Sequence, residues 1–291
     1  MRTRTGNFAI GFRKGRTDWQ RDIGSLCSWA KTNGFESLDL NSASPADIAS
    51  VIKSGLQLGT VDLIEIGKIA DVDPGKRKAL LEKNLAHIEA SVAAGAKIFF
   101  TVIGGEATRK RAENYKAAVE AFSPLAEAAA DRGAVIAFEG YPGAVPDYAL
   151  LCTTPETVRA MLKDIPRGMA INYDPSHLIR LGVDHVRFLS EFVAQVVHVH
   201  AKDTELFPEA IYELGLYQPS AFRQAHGFGQ HAWRYTLPGH GAARWPEIFK
   251  TLLASKYQGV VSVELEDENF NGSEGGEKAG LIHSRNYLAG A

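Results

Sequence analysis

The 291 residues carry 32 Lys+Arg against 34 Asp+Glu, a formal net charge of -2, with 45% hydrophobic and 23% charged residues. That balance suits a globular chain long enough for one large barrel or two smaller domains, and it argues against a polyanion partner, since Lys76 to Lys78 and Arg109 to Arg111 are only the length of solvated helix faces. No apolar run is long enough to span a bilayer, the start MRTRTGNFAIGF lacks the apolar core of a signal peptide, and Cys27 and Cys152 show no metal or redox spacing, so a reduced, cytoplasmic setting is expected.

Strand-like and helix-like segments alternate from end to end. A first strand over Asn7 to Phe12 is followed by a helix from about Asp18 to Asn33, stopped by Gly34. A second strand, Glu36 to Leu40, leads through Ser44-Pro45 into a short helix ending near Gly55. The third, Gln57 to Leu63, precedes a helix opened by Asp73-Pro74, a cap followed by proline at the first helical position, with Leu81, Leu85, Ile88 and Val92 as its apolar stripe. Lys97 to Ile103 is the fourth strand. The next helix carries Tyr115, Val119, Phe122, Leu125 and Ala129 on one face and stops at Gly133. Strand five is Ala134 to Glu139, and Thr154-Pro155 opens the helix after it. Met169 to Asp174, Val196 to His200 and Val260 to Leu265 are strands six to eight, with a helix over Leu181 to Ala194 between six and seven and a closing helix over Glu274 to Leu288.

Eight strands each followed by a helix, without a proline-rich linker or a shift in composition, predict an α/β fold: a single (β/α)8 TIM barrel over residues 1–291. A doubly wound sheet is the runner-up, but GFRKG, from Gly11 to Gly15, lacks the glycine spacing of its nucleotide-binding variant. The long segment 204–244 after the seventh strand is far longer than an ordinary βα loop, and is expected to lie over the C-terminal face as an extended active-site loop.

The strongest chemical signal lies at the ends of strands five to eight: Glu139 in AVIAFEG, Asp174 in AINYDP, His200 in VVHVHAKD and Glu264 in VVSVELED. Two residues behind each stands a small or polar residue, Ala137, Asn172, His198 and Ser262, while the opposite parity carries the bulky ones. Alternation along a strand therefore turns all four candidates toward the barrel axis. Three carboxylates and an imidazole around one point call for a divalent cation, because like charges at short range oppose ionisation. The oxygen-rich set suits Mn²⁺ first, with Mg²⁺, Co²⁺ and Zn²⁺ compatible. Lys202 and Asp203 either orient substrate or close the strand end, His198 reads as support beneath His200, and His87, His185 and His283 read as surface residues.

With FEG at 138–140, NYDPSH at 172–177, HVHAKD at 198–203, PGHG at 238–241 with Trp245, and VELED at 263–267, the sequence resembles the sugar phosphate isomerase/epimerase group of the xylose isomerase-like TIM barrels, which includes the ketose 3-epimerases. The resemblance implies that Glu139, Asp174, His200 and Glu264 are the metal ligands. It also implies that Glu139 and Glu264 double as the acid/base pair, that His177 binds a substrate oxygen and that Arg234 is the substrate-binding arginine. The loop's Trp233, His226 and His240 add a mixture suited to a sugar's apolar face and hydroxyls.

The expected activity is a metal-dependent sugar epimerase or isomerase, removing a proton beside the carbonyl of a keto-sugar through an enediolate. The same carbanion expels a leaving group if one sits β to the carbonyl, which makes a lyase of a 3-keto-glycoside or related keto-sugar the alternative. A non-catalytic sugar or metal sensor is the reading from another class. The apurinic-site endonucleases share the barrel, but by resemblance they need further histidines on early strands, and His87 is the only histidine here before Glu139. A small-molecule sugar or glycoside is thus the expected partner, without nucleic acid or membrane, and self-association into a homo-oligomer is compatible with the chain.

Overall fold

The computed structural model describes residues 1–143 and 149–291. Its strands are β1 (Ile10–Arg13), β2 (Ser37–Leu40), β3 (Gln57–Asp62), β4 (Ile98–Val102), β5 (Val135–Glu139), β6 (Met169–Tyr173), β7 (Val196–Ala201), β8 (Asp203–Leu206), β9 (Trp233–Thr236) and β10 (Val261–Val263). Eight of them form a closed barrel in the order β1-β10-β7-β6-β5-β4-β3-β2, parallel in every pairing described, while β8 and β9 make a separate antiparallel pair. The helices are α1 (Ile23–Thr32), α2 (Pro45–Ser54), α3 (Pro74–Ala93), α4 (Arg111–Asp131), α5 (Pro155–Asp164), α6 (Pro175–Arg180), α7 (His185–Phe192), α8 (Pro208–Leu214), α9 (Trp245–Ala254) and α10 (Glu274–Gly290). This is the (β/α)8 order expected from the alternation of segments.

By contact the chain divides into two compact units. One takes in Asp39–Tyr173 and Gln195–His198. Within it, α2 begins with a capping box in which the Ser44 hydroxyl accepts from Asp47 N and the Asp47 carboxylate accepts from Ser44 N, and it ends at Gly55 with φ +86°. Helix α3 starts at Asp73 as expected, but its buried line is Leu80, Asn84, Ile88 and Ser91, a small rotation from the apolar stripe. Asn84 earns its inside position through backbone pairing: its Oδ1 accepts from Ile64 N at 2.7 Å and its Nδ2 donates to Ile64 O at 3.2 Å. Gly104 is required by close approach, since a Cβ there would lie 1.7 Å from Gly67 O.

The other unit takes in Met1–Leu38, Asp174–Ala194 and Val199–Ala291. The helix expected from Asp18 is split into a 3-10 turn over Asp18–Gln20 and α1, because Asp22 caps α1 by accepting from Ser25 N at 2.7 Å. The single helix expected over Leu181 to Ala194 is two: α6 runs up to Arg180, Gly182 turns the chain with φ +72°, and Asp184 caps α7. His185, expected at the surface, is buried, and its Nε2 accepts from Arg244 N at 3.0 Å. Segment 204–244 carries structure of its own, most of β8, α8 and β9. Asp203 fastens its end, accepting from Gly239 N, Ala243 N and Trp245 Nε1 at 3.0, 2.8 and 3.2 Å. Burial tends to raise the Asp203 carboxyl pKa and these donors oppose it, the net effect being upward.

Candidate metal and substrate site

In the unit spanning Asp39–Tyr173 and Gln195–His198, Glu139 ends β5, pairs in register with Asn172 of β6 and is 3% exposed. The Asn172 amide donates from Nδ2 to Glu139 Oε2 at 2.6 Å, and its Oδ1 lies 2.7 Å from His198 Nδ1. His198 Nε2 lies 3.1 Å from Asp39 Oδ1, which also accepts from Thr60 N at 3.1 Å.

In the other unit, Asp174 caps α6, its Oδ1 accepting from Ser176 N at 2.8 Å, and its Oδ2 lies 3.5 Å from His177 Nε2. His200, fully buried on β7, has Nδ1 3.6 Å from Glu264 Oε2. Glu264, just past β10, is 3.2 Å from Arg13 Nε through Oε1 and is paired through Oε2 with Lys202. The Lys202 ammonium also lies 3.3 Å from Asp174 Oδ2 and 3.1 Å from Glu266 Oε2, over the Tyr235 ring at 4.6 Å. Loss of solvent raises the Glu266 carboxyl pKa, although a third of that side chain is exposed; Lys202 opposes the shift and Glu264 adds to it. The Tyr235 hydroxyl sits between Arg180 Nη1 and His177 Nδ1, each at 2.6 Å, and burial raises its pKa.

Among the described residues, two groups could each gather ligand atoms within 4.8 Å of one another: Glu139, Asp174, His200 and Glu264, and Asp39, His198 and His200. The first is the set expected from the strand ends. Its chemistry fits a divalent cation: three carboxylates and one imidazole, mostly buried, with Lys202 already bringing a positive charge onto two of the carboxylates. In the second, the 3.1 Å between His198 and Asp39 is a hydrogen-bond distance that a proton explains by itself.

The remaining expected residues are distributed as follows. His177 lies beside Asp174, and Trp233 is buried with the Arg180 guanidinium 4.3 Å over its ring. Arg234 engages three carboxylates, Glu205 at 2.8 Å and Asp267 and Glu268 at 3.4 Å each. His226 stacks on Phe207 and lies 3.2 Å from Glu268, and His240 faces His283 with Nε2 atoms 2.9 Å apart, both pairs near the surface. Arg13, Arg180 and Glu266 carry no site signal in the sequence, whereas Tyr235 is one of the loop aromatics suited to a sugar. Lys202 had a legible signal, since it shares the parity of His198 and His200.

The description "Xylose isomerase-like TIM barrel" matches residues 29–289, nearly the whole chain. The chain belongs to the xylose isomerase-like TIM barrel family. An inosose dehydratase of Geobacillus thermodenitrificans is 27% identical over 157 residues, covering 54% of this chain and 48% of that protein. The chain thus spans about half the length of the first curated relatives it matches. In fold it is similar to the 3-keto-D-glucoside 4-epimerase YcjR from E. coli, with TM-score 0.71, 18% identity and coverage of 97% and 98% of the two chains. It is likewise similar to an IolI protein with a zinc atom bound, with TM-score 0.68, 16% identity and coverage of 96% of each chain.

Proposed function

We propose that this xylose isomerase-like barrel binds one divalent cation, Mn²⁺ first among the candidates, and removes a proton beside the carbonyl of a keto-sugar to epimerise or isomerise it. The observation that carries the reading is the convergence of Glu139, Asp174, His200 and Glu264. A divalent cation held there would polarise a carbonyl and offset the negative charge that develops on it. Glu139 and Glu264 are the acid/base pair: one takes the proton and the other returns one, to the opposite face in epimerisation or to the neighbouring carbon in isomerisation.

His177 holds a substrate oxygen. Arg180 can only donate to the Tyr235 hydroxyl, so the tyrosine's own proton is directed to His177 Nδ1, and the Nε2 edge, 3.5 Å from both Asp174 Oδ2 and Lys202 Nζ, is the one turned to the substrate in this reading. Arg234, Trp233, His226 and His240 are the further substrate contacts of this reading, Arg234 after release from its carboxylate partners. Cys27 and Cys152, both buried and not joined in a disulfide, agree with a cytoplasmic setting, and no helix among the described residues is long and apolar enough to cross a membrane.

Inosose dehydratase relatives favour a second reading of the same site, a lyase in which the carbanion expels a β-hydroxyl or aglycone. One experiment separates the outcomes. Metal-loaded protein in D₂O, given free ketohexoses, pentuloses, inososes and 3-keto-glycosides, is expected to place deuterium beside the carbonyl of at least one of them. Inverted configuration identifies epimerisation, a moved carbonyl isomerisation, and enone absorbance with a released group elimination. Absence of exchange across the panel would sink all three and restore the sensor reading.

A further inference from the structure

Within the unit of Asp39–Tyr173 and Gln195–His198, four buried side chains are joined end to end: Glu139 Oε2, the Asn172 amide, the His198 imidazole and Asp39 Oδ1, with separations of 2.6, 2.7 and 3.1 Å. Their exposures are 3%, 1%, 0% and 0%. An ionised carboxylate can only accept, so the Asn172 NH₂ must face Glu139 and its carbonyl oxygen must face His198. That carbonyl oxygen in turn can only accept, so His198 presents an N–H at Nδ1. On the far side one proton lies between Nε2 and Oδ1 of Asp39, and Thr60 N fixes that carboxylate from the backbone at 3.1 Å. The sense of the two hydrogen bonds made by Asn172 is therefore dictated.

We infer that Asn172 is the positioning residue for Glu139, and that His198, held by Asp39, sets the sense of the Asn172 amide. The inference deepens the functional reading above and rests on it for its kinetic part. An asparagine between two acceptors would be indifferent to its own flip; here the imidazole N–H at one end makes only one orientation satisfy both neighbours, and that orientation aims a donor at the carboxylate. The bond fixes Oε2 and stops rotation of the carboxylate, which is what a cation ligand and a proton-transfer group both require. His198 consequently serves through Asn172 rather than as a ligand of the cation bound by its neighbour His200.

The test uses the full-length protein and near-isosteric variants. Asn172→Asp keeps the shape but removes the donor, and Asn172→Ala removes both. His198→Asn can offer an amide N–H where Nδ1 stood, whereas His198→Leu cannot. Mn²⁺ titration, which requires no turnover, is expected to show affinity weakened by about 10–100-fold in Asn172→Asp, Asn172→Ala and His198→Leu, and within about 3-fold of the parent in His198→Asn, the range for lost outer-shell partners. With a substrate from the D₂O panel, the same three variants are expected to lose kcat with little change in KM, and His198→Asn to recover most of it. Parental cation affinity and kcat in Asn172→Asp would overturn the inference, since shape alone would then suffice, and so would a His198→Asn as impaired as His198→Leu. A parent that binds Mn²⁺ but exchanges no proton defeats the catalytic reading, and the affinity series then decides the positioning role by itself.

Discussion

Lys202 is the residue around which the charges of the site balance. Its ammonium contacts Asp174, Glu264 and Glu266 while being 1% exposed. Removing one partner of a buried ion pair leaves the other charge uncompensated, at a cost of about 3–5 kcal/mol. Lys202→Met is accordingly expected to lose about that much stability in chelator, measured by urea unfolding, and clearly less with Mn²⁺ present, because a cation takes over the same carboxylates. An equal loss in both conditions would remove Lys202 from the charge balance. The carboxylates themselves are tested by turnover: Glu139→Gln and Glu264→Gln should each fall by at least ~10²-fold, the scale of lost acid–base catalysis, with metal occupancy followed in parallel. A variant of either that turns over at the parental rate is not part of the acid/base pair. The four residues could be grouped from the sequence because strand parity is simple: Glu139, Asp174, His200 and Glu264 share it. The pairing of Arg180 with Tyr235 was not legible, since α6 and β9 come together through 55 residues of chain whose path no local pattern specifies.

At the scale of elements, most barrel strands could be read because they are short runs rich in β-branched or aromatic residues, as in β4 (Ile98–Val102) and β5 (Val135–Glu139). The pieces inside 204–244 could not be read so, because β8 and β9 are four residues each and pair across 26 intervening residues, with no tight turn to announce them. The docking of α7 was hidden for a different reason. His185 looked like a surface histidine, yet it accepts from Arg244 N beside the start of α9, and burial first, then the Arg244 charge, lower its pKa from 6.5 to about 4. The folded state therefore holds His185 neutral where the unfolded chain would protonate it. Its contribution to stability is whole above pH ~6.5 and is lost as the pH falls from there toward 4. His185→Gln, whose side-chain oxygen can accept without titrating, should flatten the fall in melting temperature between pH 6.5 and 4. A slope unchanged from the parent would show that other groups govern that limb.

For the molecule as a whole, near-neutrality conceals a local excess of negative charge, and that contrast makes cation binding visible in global stability. The net charge is only -2, but the candidate ligand group alone holds three carboxylates. Asp174 and His200 lie on opposite sides of the α6–α7 segment, and Glu139 and Glu264 come from strands further along the barrel order. The unfolded chain has no reason to bring such distant residues together, so a cation that needs all of them binds the folded state in preference. Stabilisation then follows RT ln(1 + [L]/Kd), about 2.7 kcal/mol when the free cation is at 100 times its dissociation constant. The melting temperature of chelator-treated protein is expected to rise with Mn²⁺ and to keep rising with the logarithm of its concentration above Kd. Zn²⁺ and Mg²⁺ should do the same, each with its own offset. Asp174→Asn and His200→Ala should abolish most of the rise, whereas Asp184→Asn, at a helix cap, should leave it intact. Equal rises in the ligand variants and the parent would mean that the cation stabilises the protein from somewhere other than these four residues.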